Sequence, residues 1–441
     1  MALFGRSKPT LPIYEAADVF RAGATPTVTL VDRTKSKDYR EITFALRQQG
    51  RIVNFFGPSK SGKTVLCMEQ VLKDKSPVRV HGGKIESTRR FWELLAFELG
   101  VAIGHEYEDE DSSSAEVKGK TKVGIPPIGF GVEAKQGVER RSRSKRTFDL
   151  SPVLARAVER ELVRRRSTLV IDDFHLVKPE VQTEIMNSLR DVLQNGNSVV
   201  IVSVPEEAKN VLSHVPDLSL LCTSVSAEIW SVEDIKAIAR KGFDALGMKV
   251  DQDSLKTLSQ FAYRNPMLMQ EYCLRLCFEL DIAETQKKLA QPNITPTNLR
   301  DVFVFVANQR ARDYAEFFSS NSGARWPLKA GRRVNIGQLA FLALADVGVM
   351  QPITVERLAT RMRRLLERGS EPLDLKQVIE AIAVITAEME ARLQNRRPLK
   401  YEEKTKTIYV LDPFFKAYLK WGLSPKLLGV YPELTVPAAK S

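Results

Sequence analysis

The sequence predicts an α/β fold: a parallel sheet whose strands alternate with helices, then a helical lid, then a smaller domain of helices closed by a hairpin. Three observations predict it. The run Arg51-Ile52-Val53-Asn54-Phe55-Phe56 is strand-length and apolar, and it feeds a glycine-containing loop that opens a helix over 64–72. Two more short apolar runs, 168–173 and 198–205, end in polar residues and each follows a helical stretch. Beyond Trp230 the spacing turns helical over 232–246, 251–263 and 266–280, with Leu268, Tyr272, Leu276 and Leu280 recurring every fourth residue.

The 441 residues are enough for two or three domains, and 43% hydrophobic with 27% charged is an ordinary globular balance. The formal charge of +12 suits nucleic acid, an acidic partner or an anionic surface, and equally a basic but inert exterior. Cys67, Cys222, Cys273 and Cys277 show no C-x-x-C spacing, and His81, His105, His175 and His214 are scattered, so no zinc site is legible. Such cysteine use fits a reducing cytoplasm. The N-terminus is too poor in apolar residues for a signal peptide, and no apolar run approaches a membrane span.

Taken in order, residues 14–22 and 38–49 read as helices, the second ending at Gly50 as a C-cap. The loop that follows the first strand is Gly57-Pro58-Ser59-Lys60-Ser61-Gly62-Lys63-Thr64, which fits G-x-x-x-x-G-K-[ST]. A strand feeding this loop into a helix gathers backbone N–H groups and the positive helix end around one anion. Lys63 can then reach the β/γ-phosphates of a nucleotide, and Thr64 can offer its hydroxyl to Mg²⁺. Residues 78–81 read as a second strand, with His81 a structural residue there. Ser87 N-caps a helix that Gly100 ends. Residues 106–147 change character, from acidic and serine-rich to alternating to basic, and read as an insertion, either a hairpin with flexible flanks or a solvated loop.

After a helix over 151–166, the strand Thr168-Leu169-Val170-Ile171 delivers Asp172 and Asp173 at its C-terminal edge, where open parallel sheets bind ligands. There Asp172 would hold Mg²⁺ through water opposite Thr64, and Asp173 would orient the attacking water. Paired acids could also simply start a turn. A helix over 179–193 and the turn Asn195-Gly196-Asn197 lead to the strand 198–205, whose terminal polar residue, Ser203, would face the γ-phosphate. Residues 224–230 supply one more strand. Helices over 298–318, 335–345, 354–368 and 375–393 precede a hairpin, 399–403 and 407–411, and Pro413 opens a last helix.

This order of loop, acidic strand, polar-tipped strand and helical lid resembles the AAA+/STAND group of P-loop ATPases, in its origin-recognition-like and prokaryotic STAND-like branch. Trp230-Ser231-Val232-Glu233-Asp234-Ile235, then Ile238-Ala239 and Gly242-Phe243, is similar to the start of that group's lid. The resemblance implies an ASCE/AAA+-like sheet with a lid and a C-terminal winged-helix-like domain. It places the ATPase core at 1–230, the lid at 231–290 and the last domain at 291–441. It implies that Val31-Asp32-Arg33 borders the adenine. Arg264-Asn265-Pro266 stands where relatives carry G-x-P, so Arg264 is either a sensor arginine or part of a plain helix-start turn. Arg190, Arg240 and Arg264 are arginine-finger candidates by position, and a neighbouring subunit often supplies that group.

Three functions follow. The first is an ATP- and Mg²⁺-dependent switch that forms homo-oligomers and acts on DNA in replication, transposition or phage defence. Its DNA contacts would be Arg361, Arg363, Arg364 and Arg368, with Lys400, Lys404 and Lys406 on the hairpin. The second is a STAND-type sensor that recruits a separate effector protein without DNA. The third is a small-molecule kinase, which the long lid and helical tail disfavour.

Overall fold

The structure is a computed structural model that describes residues 12–101, 151–204, 215–309, 311, 314, 317, 324–347, 351–393 and 398–434. The expected insertion at 106–147 lies outside them. Five strands form one sheet: β1 (Ile52–Phe56), β2 (Val78–His81), β3 (Leu169–Asp172), β4 (Val199–Ser203) and β5 (Cys222–Ser226). Their order is β2-β3-β4-β1-β5, and every pairing is parallel. The strand with the paired acids therefore does not touch the strand before the glycine loop, because β4 lies between them.

Alternation along the strands builds two cores. Ile52, Leu169, Ile171, Val199 and Ile201 face the helices Thr88–Leu99, Ser151–Arg165 and Pro179–Ser188. Val53, Phe55, Val170, Val200 and Val202 face the helix Lys37–Arg47 and the helix after the loop. Strands buried on both faces must be apolar at nearly every position, which is why they read as continuous apolar runs.

The lid consists of the helices Val232–Ala245, Gln252–Phe261 and Pro266–Glu279. Its core also takes in Ala16, Val19, Phe20 and Val31 from the N-terminal segment, and Leu299, Val302 and Phe303 from the helix Pro296–Gln309. Gly242 is required there, since a Cβ on it would stand 2.2 Å from the Phe20 ring. Phe20 instead lies edge-on to Phe243, with centroids 5.2 Å apart.

The C-terminal domain runs helix Ile336–Leu344, strand Ile353–Thr354, helix Val355–Leu365, helix Leu375–Arg392, and the hairpin Leu399–Glu402 with Thr407–Val410. The later hairpin strand pairs with both of the others, which is a winged-helix arrangement. The helix Pro413–Ala417 then continues through a wider π-helical turn, Tyr418–Leu423, and serves two cores at once. Phe414, Ala417 and Trp421 enter the lid core, while Phe415, Tyr418 and Leu419 enter the winged-helix core. The fold is thus a five-stranded parallel α/β sheet with a helical lid and a winged-helix-like C-terminal domain. Among the described residues, no helix is long and apolar enough to cross a membrane.

Several local expectations needed revision. Gly50 has φ +67°, but it does not cap the helix Lys37–Arg47, whose C-cap is the extended Gln48. Gly50 is small because its Cβ would lie 2.5 Å from the Leu193 carbonyl oxygen. The strand expected at 224–230 is β5, two residues earlier. Ala227 N–H bonds the Phe56 carbonyl at 2.7 Å, and the chain then leaves the sheet so that Trp230 can reach the loop. The helix expected over 179–193 breaks at Leu189 into Pro179–Ser188 and Arg190–Gln194.

Candidate nucleotide site

The loop 57–64 joins the C-terminal end of β1 to the helix that begins at Lys63. Two glycines let it bend. Gly57 passes under Ala227, whose Cβ would be only 2.5 Å from a Cβ at residue 57. Gly62 has φ +84° and caps the helix. The helix starts as Lys63–Val65 and widens to a π-helical turn over Leu66–Val71. Lys63 is buried, and its ammonium donates to the Gly57 carbonyl at 2.9 Å and the Pro58 carbonyl at 2.8 Å.

One residue on, the Thr64 hydroxyl lies 3.0 and 3.1 Å from the two carboxylate oxygens of Asp172 at the end of β3. Asp172 is 2% exposed and also pairs with Arg79, which reaches across from β2. A threonine hydroxyl beside a carboxylate is a hard-oxygen pair, and such a pair fits Mg²⁺ shared with phosphate oxygens. Asp173 has φ +52°, in the left-handed region, so its backbone turns the side chain out of the strand line. Its carboxylate sits 3.2 Å from His81 Nε2. His81 Nδ1 accepts a hydrogen bond from Gly83 N–H at 3.0 Å, which leaves the Nε2 proton for Asp173.

A cavity of about 540 Å³ joins these groups to the lid. Its polar lining includes Ser59, Lys60, Lys63, Thr64, Arg79, Asp172 and Asp173. Its apolar lining includes Pro26, Leu30, Val31, Ile238, Pro266 and Met267. A cavity lined by both charged and apolar groups matches an anion carried on a flat ring.

The loop is held from the lid side by two contacts. Trp230 Nε1 donates to the Ser61 carbonyl at 2.7 Å, and Asn265 Nδ2 donates to the Lys60 carbonyl at 3.0 Å. A third contact comes from the last helix: the Lys60 ammonium lies 4.4 Å from the Phe414 ring centroid. Arg33 lines the cavity but is itself buried. It pairs with Asp38 at 3.3 Å and stacks 4.8 Å from the Trp230 ring. Gln70, from the helix after the loop, fixes this segment by donating to the Val31 carbonyl at 3.0 Å and accepting from Arg33 N–H at 2.8 Å.

Two expected residues lie elsewhere. Ser203 is fully buried, and its hydroxyl donates to Asn54 Oδ1 at 3.1 Å inside the sheet instead of lining the cavity. Arg264 lines a separate crevice of about 340 Å³ with Pro58, Ser61 and Gln351, and it donates to the Trp230 carbonyl at 3.2 Å. Its φ of +58° explains why glycine suits that position. Asn265, beside it, makes the lid's contact to the loop.

Sequence reasoning missed Arg79, Gln70 and Asn265. Only Asn265 carried a local signal, a cap residue directly before a helix-starting proline.

No family model matches the sequence, and no curated protein matches it. Among solved structures the chain is similar to Cdc6p from Pyrobaculum aerophilum, at 12% identity over 93% of this chain and 98% of that one, with TM-score 0.44. It is similar to the Aeropyrum pernix ORC2 protein in ADPNP–ADP complexes, at 11% identity over 94% and 99% of the two chains, with TM-score 0.48. The Aeropyrum pernix ORC1 protein in complex with DNA is 13% identical over 93% of this chain and 96% of its own, with TM-score 0.45.

Proposed function

We propose that the chain is an ATP-binding and ATP-hydrolysing molecular switch of the AAA+ kind, which assembles with its own copies when nucleotide is bound and acts on DNA. The observation that carries the reading is that Lys63, Thr64, Asp172 and Asp173 line one cavity that the lid also lines. The loop N–H groups and Lys63 would bind the phosphates, with the adenine against the apolar lining beside Val31 and Arg33. Mg²⁺ held by Thr64 and Asp172 would neutralise charge on the phosphate oxygens. Asp173, steered by His81, would orient the attacking water. Core, lid and C-terminal domain would divide near 230 and 290, and the shared aromatic packing would let nucleotide contacts at the loop shift the C-terminal domain. The charge of +12 and the arginine-rich helix Val355–Leu365 support DNA as the polymer acted on.

The test takes purified chain with labelled ATP and magnesium. Wild type should bind, Lys63→Ala should not, and Asp173→Asn should bind but lose turnover. Failure of wild type to bind adenine nucleotide overturns the proposal. A mobility-shift series in salt, with and without ATP, tests the DNA part. No shift even at low salt replaces it with a nucleotide-dependent scaffold for a separate effector protein.

A further inference from the structure

In a helix-turn-helix pair, the later helix enters the groove and reads bases while the earlier one crosses the backbone. Here the pair is Val355–Leu365 followed by Leu375–Arg392, and their charges are unevenly placed. The outward stripe of the later helix is Lys376, Gln377, Glu380, Val384 and Ala387, all exposed. Only its first turn, Lys376 and Gln377, can donate to a base edge, and beyond it stand an acid that phosphates repel and two apolar residues. The earlier helix instead presents Arg357, Arg361 and Arg364, which line a cavity of about 480 Å³ together with Gln351 and Thr360.

Among the described residues, none of these three guanidinium groups makes an ion pair or a side-chain hydrogen bond, whereas Arg363 beside them is spent on the Leu373 carbonyl. Like charges four apart on a helix repel, so the fold gains nothing from the row by itself. The arginines repeat at steps of about 6 and about 4.5 Å along the axis, so the three charges form one row about 10 Å long. Gln351 lines both this cavity and the crevice against the loop residues Pro58 and Ser61. A polyanion in the arginine row would therefore lie next to the back of the nucleotide loop.

We infer that Arg357, Arg361 and Arg364 grip the sugar–phosphate backbone of duplex DNA without reading its bases, and that the helix Leu375–Arg392 stays out of the groove. The inference deepens the DNA part of the function proposed above and rests on it. Phosphate contacts position a protein on the duplex but carry no sequence information, so binding should be indifferent to sequence.

The experiment is fluorescence anisotropy of the full chain on labelled duplexes of unrelated sequence, across a potassium chloride series, with ATP binding measured on the same preparation. Wild-type affinities should agree between sequences. Each single Arg→Ala change should flatten the log–log salt slope by about 0.9, and the triple change by about three times that. Gln377→Ala should change neither affinity nor preference. A triple variant that keeps the wild-type slope overturns the inference while leaving DNA binding intact. A loss of base preference in Gln377→Ala, or tighter binding to a length-matched RNA duplex, also overturns it. If the triple variant fails to fold, the exposed single variants Arg357→Ala and Arg364→Ala decide by the same slope. Wild type that binds ATP but no duplex removes both the inference and the DNA part of the proposed function.

Discussion

At Gly57 the loop passes so close under Ala227 that a single added carbon collides with the Ala227 Cβ at 2.5 Å. Both atoms belong to short side chains that cannot swing away, so the backbone must move. Gly57→Ala should cost about 1–3 kcal/mol, read as a lowered urea midpoint, and should weaken nucleotide binding as well. A second residue-scale prediction concerns His81, whose Nε2 is directed at Asp173 by the Gly83 N–H bond to its other nitrogen. His81→Ala should leave ATP binding unchanged and lower turnover by about tenfold to a hundredfold, the range that misplacement of a reacting group produces. Unchanged turnover would remove His81 from the orienting role. The loop residues were legible because their pattern is forced by local backbone geometry. Ser203 was misread because its partner, Asn54, lies 149 residues away in sequence, and no local pattern says which of two neighbouring strands a buried hydroxyl will face.

Between elements, most helices were legible from their apolar spacing, and the structure adds their caps. Ser87, Ser231, Asp251, Asn335 and Thr354 each accept a first-turn N–H, and Asn335 forms a capping box with Gln338. Asn265 does two jobs: its Oδ1 accepts from Leu268 N–H at 2.9 Å, and its Nδ2 ties the lid to the Lys60 carbonyl. Asn265→Ala should cost about 1 kcal/mol for the lost cap and also weaken nucleotide affinity, because the lid loses its grip on the loop. Asn265→Asp separates the two roles: it keeps the capping oxygen and loses the donor, so stability should hold while affinity still falls. Paired thermal melts and nucleotide titrations would check both. Elements set by distant contacts were less legible. The end of β5 follows from Trp230 reaching across to Ser61, and Gly50 is small because of Leu193, neither of which a local window contains.

Across the whole molecule, the domain edges drawn near 230 and 290 from sequence run through shared packing. Trp421 lies 4.9 Å from both Phe261 and Phe303, so the tail, the lid and the connecting helix Pro296–Gln309 form one aromatic cluster. Periodicity shows that each of these residues is apolar, not which body it enters. In the same tail Lys416 is buried and donates to the Leu344 and Ala345 carbonyls at the end of a winged-helix helix. Burial holds its pKa well below the ordinary lysine value, so between that lowered value and about 10.4 the unfolded chain binds more protons than the folded one. Unfolding free energy should therefore rise with pH through this window, and the lysine's penalty is fully present once pH falls below its folded pKa. Lys416→Met should flatten that rise, as denaturant melts at a series of pH values would show. An unchanged pH profile would mean that Lys416 is not the group responsible. The tail that carries it also fixes the order in which the protein can mature. A ribosome that has released residues 232–303 has made every lid helix, yet their aromatic faces stay open until Phe414 and Trp421 emerge. The aromatic core of the lid is therefore among the last things the newborn chain completes.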